Sequence, residues 1–358
     1  MPSISSALVA AAQSFGIDPA FVFAAANRGP GGSLNIPAAR TAVEQMSPLA
    51  ASIEVPSLSY QETMILIEGL FVAGYEEMPA LTSMFCNRVT KSARTIDYHG
   101  LGAAPRMRER LDETQGQVLN ALPPFQVTVR DWEATVEIPV SYLQADQLGE
   151  YSMKMQEMGA FAKQHPDELI AALIVAADAT LCYDGQYLCD TDHDEASSGT
   201  QSNLLTTGGD DDDIADVETD LGTAIAAMQR FKDDRGNDMR MATNSNAVWD
   251  LVCRPEVFGV FNKLATATQI SGTDNGWKGR LRVTTLPELT TADEWYLVYA
   301  GGVRKPFTVQ YQKEPSALVI LGKDSEHATK TGRALFTTKG NYTVAPADWR
   351  CIIKVQKA

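Results

Sequence analysis

The feature that most constrains the fold is a long polar stretch enclosed by extended segments. Residues 94–98, 126–130 and 134–138 alternate between apolar and polar side chains, and this period of two predicts β-strands. The roughly 25 residues between the first two strands are rich in glycine, proline and charge, and they exceed the ~12–15 residues of ordinary loops. This stretch is too long for a tight hairpin and too charged for a core, so we interpret it as a segment that reaches a partner.

Charged residues crowd the long stretch, and they are our candidate contact residues. They are Arg106, Arg108, Glu109, Arg110 and Glu113. Arginine is suited to two-pronged pairing with carboxylates at interfaces, so we predict that this set forms ion pairs with a neighbouring subunit. The alternative is a solvated charged surface.

Helix signals flank this region on both sides. Asp18 and Pro19 indicate a short helix over 19–27, and Ser59 with Glu62 forms a capping box that opens another. The longest helical pattern covers 143–182, and we expect a kink or short break at Pro166.

The remainder of the chain reads as a mixture of helices and strands. An amphipathic helix is predicted from Ile214 to Met228, and a second helix between Asn244 and Pro255. Strands are predicted at 281–284, 295–299, 307–311, 317–320, 333–338 and 351–355. Gly340-Asn341 is interpreted as a turn between two of these strands.

Composition and charge exclude several classes of protein. The chain has 358 residues, with 45 acidic against 30 basic side chains and a net charge of −15. A surface so acidic repels phosphate, which argues against sequence-specific nucleic-acid binding. The five cysteines form no disulfide framework and indicate a reducing compartment. No basic signal region and no apolar run of ~18 residues occurs, so we expect a protein made in a cytoplasm and not inserted in a membrane.

One loop has the side chains of a metal site. Asp190, Asp192 and His193 offer carboxylates and an imidazole, which leaves a metal-dependent hydrolase as one hypothesis and a solvated loop as the other. Nucleophile elbows, phosphate-binding loops and zinc-protease motifs are missing from the sequence. We therefore predict neither catalytic residues nor a cofactor.

Several short stretches, taken in order, resemble one known family. They are Gly102-Ala-Ala-Pro-Arg-Met-Arg-Glu109, Gln164-His-Pro-Asp-Glu-Leu169, Cys182-Tyr-Asp-Gly-Gln186, Asp190-Thr-Asp-His193, Ser202-Asn-Leu204 and Phe231-Lys-Asp-Asp234. The chain resembles the major head subunits of Mu-type tailed phages over about residues 58–355. The resemblance implies an α+β protein with the Hong Kong 97-type capsid fold and no enzymatic turnover.

The same resemblance implies a set of domains, in chain order. We expect an N-terminal arm (1–57), an arm helix opening the peripheral domain (58–93), an extended E-loop (94–139), a peripheral domain with a long spine helix (140–205), an axial domain (206–305) and return strands (306–358). Because the chain begins at Met1, we expect that no N-terminal scaffolding segment is removed.

The implied function is a shell built from copies of the chain. We expect pentamers and hexamers that form an icosahedral phage head in a bacterial cytoplasm, enclosing double-stranded DNA without reading its sequence. Portal, scaffold or cement proteins are further partners of such shells. A cargo-enclosing nanocompartment of the same fold and a tail or neck component remain alternatives.

Overall fold

The computed structural model describes residues 12–13, 18–26, 59–78, 80–101, 121–144, 149–243 and 247–358. The helices in these ranges are α1 (Pro19–Ala26), α2 (Tyr60–Glu77), α3 (Thr82–Phe85), α4 (Val140–Gln144), α5 (Gly149–Val175), α6 (Ile214–Gln229), α7 (Phe258–Thr266) and α8 (Glu326–Thr331). Single 3₁₀ turns occur at Pro255–Val257 and Trp349–Cys351.

The strands are numbered along the chain. They are β1 (Cys86–Thr90), β2 (Thr95–Leu101), β3 (Ala121–Thr128), β4 (Arg130–Pro139), β5 (Leu204–Thr207), β6 (Trp249–Cys253), β7 (Gln269–Ile270), β8 (Thr273–Asp274), β9 (Leu281–Thr285), β10 (Glu294–Val298), β11 (Phe307–Lys313), β12 (Leu318–Leu321), β13 (Arg333–Pro346) and β14 (Ile352–Lys357). The chain divides into two compact units, which we describe separately.

The first unit draws on residues 1–80, 129–166 and 311–342. Its core forms where α2 packs on α5 and on one face of a sheet, and it includes Leu66, Phe71, Met155 and Phe336, all completely buried. The predicted capping box at the start of α2 is confirmed, because Ser59 accepts a bond from the Glu62 N–H and Glu62 accepts one from the Ser59 N–H.

Two glycines bring α2 and α5 into backbone contact. A Cβ added at Gly74 would lie 2.0 Å from the carbonyl oxygen of Gln156, and one added at Gly159 would lie 2.1 Å from that of Phe71. Real Cβ atoms do not approach so closely. The crossing of these two helices therefore requires the absence of a side chain at both positions.

The sheet of the first unit is organised around β13. This strand pairs antiparallel with β4 on one side and with β12 on the other. The predicted turn at Gly340-Asn341 is wrong: both residues lie inside β13, opposite Trp132 and Asp131. Gly340 is needed there because a Cβ would lie 2.5 Å from the Tyr342 ring.

The second unit draws on residues 81–128, 167–310 and 343–358. Its main sheet has the order β5-β14-β10-β6-β9. Helix α6 packs on β14 and β10, and α7 packs on β6 and β9. The helix predicted between Asn244 and Pro255 is wrong, because β6 occupies Trp249–Cys253 and is buried along its whole length. Asp250 interrupts the apolar residues of this buried strand, so five residues show no period of two that would separate a strand from a helix.

The predicted long helix is present but shorter than the 143–182 pattern at both ends, and it has no break at Pro166. Helix α5 runs without a break from Gly149 to Val175 and contains Pro166. The residue after this proline, Asp167, is buried and accepts bonds from the N–H groups of Leu81 and Thr82, at 2.8 and 2.9 Å. Its carboxylate therefore satisfies amide groups at the start of α3.

The predicted strands around the polar stretch are confirmed. β2 and β3 form an antiparallel pair, and Tyr98 of β2 donates a hydrogen bond to the Gln310 side chain at 3.1 Å. Residues 102–120, which hold the candidate contact residues, lie outside the described residues. None of the helices in the described ranges has both the length and the apolar character needed to cross a bilayer.

Candidate functional site

Charged and polar side chains meet in the interior of the second unit. We call this group the buried polar cluster: Tyr183, Asp184, His193, Glu195, Asn203, Asp348, Trp349 and Arg350. It joins the loops around the start of β5 to the 3₁₀ turn that precedes β14. Buried charges and amides are costly unless each finds a partner, so the pairing within the cluster decides what it can do.

His193 lies at the centre of the cluster and is completely buried. Its Nδ1 is 2.6 Å from Oδ2 of Asp184, and its Nε2 is 3.0 Å from Oδ1 of Asn203. The ring stacks on Trp349, with centroids 4.0 Å apart. Both ring nitrogens therefore face oxygen atoms and neither is left for another ligand.

Asn203 fixes the orientation of this arrangement. Its Nδ2 lies 2.7 Å from the carbonyl oxygen of Leu188, 3.0 Å from that of Trp349 and 3.1 Å from that of Ile352. Because these oxygens require the amide NH₂, Oδ1 must be the atom that faces His193. The same Oδ1 accepts the N–H of Asp190 at 2.8 Å. The Asn203 amide thus holds the loop of Asp190, Asp192 and His193 against the start of β14.

Arg350 is the cation of the cluster, and its side chain is only 2% exposed. It forms an ion pair with Glu195 at 2.7 Å and donates to the Tyr183 hydroxyl at 2.7 Å. The Tyr183 hydroxyl in turn donates to Glu195, and the Trp349 indole N–H donates to the same carboxylate at 3.2 Å. Glu195 is therefore satisfied by the nearby Tyr183 and by two adjacent residues far along the chain, Trp349 and Arg350.

Burial controls the titration of these groups. Loss of water around Tyr183 raises the pKa of its hydroxyl well above the usual value, and the negative charge of Asp348 adds to this effect. Burial alone would lower the pKa of Arg350, but Tyr183, Asp348 and Glu195 together raise it above its ordinary value. The cluster therefore keeps its tyrosine neutral and its arginine charged at physiological pH.

The three residues of the metal hypothesis are not brought together. Asp190 turns its carboxylate to the N–H groups of Thr191 and Tyr187, and Asp192 is exposed. His193 is committed to Asp184 and Asn203. Within the described ranges, no group of three or more His, Cys, Asp or Glu side chains is arranged to hold a metal ion. This geometry gives the hydrolase alternative no support.

A known protein family matches the part of the chain that contains most of the buried polar cluster. Residues 61–215 match the family model of the Mu-like prophage major head subunit gpT. This segment is similar to the Mu-like major head subunits. The resemblance inferred from the six short stretches is thereby confirmed.

Two curated relatives of the Mu-like family match parts of the chain. The major head subunit of the Mu-like prophage FluMu of Haemophilus influenzae is 27% identical over 161 residues, 42% of this chain. The major capsid protein of Escherichia phage Mu is 32% identical over 123 residues, 34% of this chain. The matches span 51% and 40% of those proteins' own lengths, so the chain covers about half of the curated relatives it matches.

The fold extends the likeness beyond the family segment. The procapsid of bacteriophage JBD30 contains a chain that superposes with a TM-score of 0.50 and 20% identity, covering 88% of this chain and 76% of that one. The predicted α+β Hong Kong 97-type capsid fold is confirmed by this likeness.

Most of the stretches that carried the resemblance meet in the buried polar cluster. Tyr183 and Asp184 come from one, His193 from the next, Asn203 from a third, and Phe231 of a fourth packs edge-on to Trp349 with centroids 5.1 Å apart. Sequence reasoning missed Arg350, because a single arginine before a strand has no periodicity or spacing that marks it.

Proposed function

We propose that this chain is the major capsid protein of a Mu-like phage or prophage, which assembles with copies of itself into the icosahedral head shell. The observation that carries the proposal is the Mu-like family match over residues 61–215 within a chain of capsid fold. The matched segment includes all of α2 except its first residue, the whole of the long helix α5 and the loop that holds Asp190, Asp192 and His193.

The contacts of polar residues in the stretches that resemble the Mu-type family support a structural role. Four polar residues from these stretches, Tyr183, Asp184, His193 and Asn203, form hydrogen bonds inside the second unit, with His193 and Asn203 completely buried. A catalytic group must reach a substrate, whereas these groups reach only the chain itself. We therefore propose a protein without turnover and without a cofactor.

The long polar stretch is proposed as the contact with a neighbouring copy. β2 and β3 provide a paired stem for residues 102–120. Within that stretch, Arg106, Arg108, Glu109, Arg110 and Glu113 are proposed to form ion pairs across the subunit boundary. We also propose the domain boundaries inferred from the sequence, including an arm over 1–57 and an axial domain over 206–305.

The remaining partners follow from the proposed shell. Subunits would gather as pentamers and hexamers in the host bacterial cytoplasm and remain in the virion. The net charge of −15 suits a shell that encloses DNA without adhering to its phosphates. Portal, scaffold or cement proteins are proposed as further partners.

Electron microscopy of the purified chain, after sizing by light scattering, tests the proposal. We expect closed shells or capsomer rings. A chain that stays at 38.8 kDa at high concentration in assembly-promoting conditions would contradict it. Deleting residues 100–122 should abolish assembly while leaving the melting temperature of the subunit nearly unchanged. Metal analysis of the same preparation addresses the hydrolase alternative, which requires a stoichiometric bound metal.

A further inference from the structure

Three cations belong to two segments that meet at one corner of the second unit, where the Gly279 N–H donates to the Ala265 carbonyl oxygen of α7 at 3.1 Å. Lys263 belongs to α7, and Lys278 and Arg280 lie just before β9. Among the described residues, none of the three has an ion pair, and the Nε of Arg280 is buried without a hydrogen-bond partner. The Arg280 guanidinium lies 5.7 Å from the centre of the Trp277 ring. We call these three cations the basic corner.

A group of carboxylates lies at another corner of the same sheet. It follows β5 and continues into α6: Asp210, Asp212, Asp213, Asp216 and Glu218. The N–H of Asp210 donates to Asp216, which holds this segment folded on itself, and Asp212 and Asp213 are exposed. Lys357 pairs with Asp210 but leaves the group strongly negative. We call this group the acidic corner.

Sheet register places the two corners diagonally. Leu204, Lys354, Tyr296, Val252 and Thr284 form one row across the five strands. The acidic corner follows the C-terminal end of β5. β9 runs parallel to β5, and the basic corner precedes the N-terminal end of β9. The two corners therefore lie on opposite sides of this row. The four strand spacings separate the edges by about 19 Å, well beyond the ~8 Å over which exposed charges interact in physiological salt.

Charges that a subunit cannot pair internally are available to another subunit. We propose that the basic corner of one copy docks on the acidic corner of the next, forming a head-to-tail contact around a ring. This inference rests on the proposed function and names a contact that would build its pentamers and hexamers. Because two different patches meet, the contact is heterologous and can repeat until the ring closes.

The diagonal placement adds a geometric constraint. Copies in a closed ring are related by rotation alone, so the two contacting patches must lie at the same height along the ring axis. Patches at opposite corners meet this condition only if the line that joins the two corners is perpendicular to that axis. A sheet with strands parallel to the axis would instead offset each copy and build an open helix.

Charge reversal tests the pairing. Lys263→Glu with Lys278→Glu leaves Arg280 beside two glutamates, so both corners become acidic. Asp210→Lys, Asp212→Lys and Glu218→Lys together leave only Asp213 and Asp216 as acids beside three new lysines and Lys357, so both corners become basic. Each of these two single-corner variants should raise the concentration needed for assembly by at least about fivefold at low salt, as expected for the loss and reversal of exposed pairs. The combined variant, which reverses both corners in one chain, should return this concentration to near the wild-type value.

Controls separate this inference from the proposed function. Lys330→Glu reverses an exposed charge in the first unit and should assemble normally, and melting temperatures should confirm that every variant is folded. Wild-type chain that forms neither rings nor shells would overturn both proposals. Wild-type assembly with both single-corner variants unaffected, or a combined variant that stays defective, would overturn the corner pairing alone. Wild-type assembly that is insensitive to salt would also contradict it.

Discussion

The imidazole ring of His193 lies flat against the indole ring of Trp349, with the two planes inclined by only 7°. This contact joins two parts of the chain. One is the loop of Asp190 to His193, whose sequence is typical of an acidic, solvated loop, and the other is the 3₁₀ turn before β14. Asp192, one residue earlier, is exposed. The stack therefore marks the point at which a surface loop becomes part of the interior.

Replacing His193 should destabilise the subunit severely. His193→Ala removes the stack on Trp349 and leaves the Asp184 carboxylate, only 2% exposed, without its imidazole partner. We expect a loss of about 3–5 kcal/mol in the free energy of unfolding, measured by urea denaturation of the unassembled subunit. Asp192→Ala is the matched control and should change it by less than ~0.5 kcal/mol. Equal, small effects of both substitutions would contradict this view of the loop.

The ion pair between Arg350 and Glu195 should be far more sensitive than an exposed one. Arg350→Met leaves Glu195 buried without its cation and should cost about 3–5 kcal/mol of stability. Arg333→Met removes a cation that is 54% exposed from Glu137 and should cost no more than ~1 kcal/mol. Thermal unfolding of the two variants provides the comparison. A similar fall in melting temperature for both variants would mean that burial does not determine how much stability is lost when an ion pair is broken.

The α2–α5 crossing should not accept a methyl group. Gly159→Ala places a Cβ against the Phe71 carbonyl, so the helices must separate, and we expect a loss of at least about 2 kcal/mol. Gly222→Ala in α6 meets no atom within 4 Å and should be stabilising by about 0.5–1 kcal/mol. Urea unfolding should therefore give shifts of opposite sign. A stabilising Gly159→Ala would contradict the close approach of the backbones.

The five cysteines should be unreactive in the folded subunit. All are buried free thiols, and burial raises the pKa of Cys253 to about 12 and the pKa values of the other four above their ordinary range. A maleimide at pH 8 should label none of them in the native chain and all five in urea. Thr206→Cys, at an exposed position, should add one reactive thiol to the native chain.

The same shifts predict a dependence of stability on pH. Above about pH 8.5 the unfolded chain releases thiol protons that the folded chain retains. The contribution of the thiols to the free energy of unfolding should therefore be constant below this pH and fall as pH rises further. Stability that increases between pH 9 and pH 11 would contradict the raised pKa values.

Local sequence signals predicted local structure well. Ser59 and Glu62 are three residues apart, and the capping box that they predict is present. Asp18 caps the Ala20 N–H at 2.9 Å at the start of α1, as its position before Pro19 indicates. The apolar period from Ile214 to Met228 corresponds to α6. In each case the residues that determine the structure lie within one or two turns of one another.

Predictions failed where distant residues decide the outcome. Trp249–Cys253 is a strand because β10 and β9 flank it, and Gly340 continues a strand because β4 supplies partners for the whole stretch. The buried polar cluster is the extreme case, since Trp349 and Glu195 are 154 residues apart. Recognising the family stretches indicated which residues matter, but only the fold brings Tyr183, His193 and Asn203 to one place.

The contact between α2 and α5 also has a mechanical consequence. At Gly74 and Gly159 the helices touch through main-chain atoms, with no rotatable side-chain bonds between them. A side-chain contact yields under load by changing rotamer, whereas a main-chain contact yields only if a helix deforms. Tension applied to α2 should therefore reach α5 with little extension, which would make this crossing one of the stiffest points of the first unit.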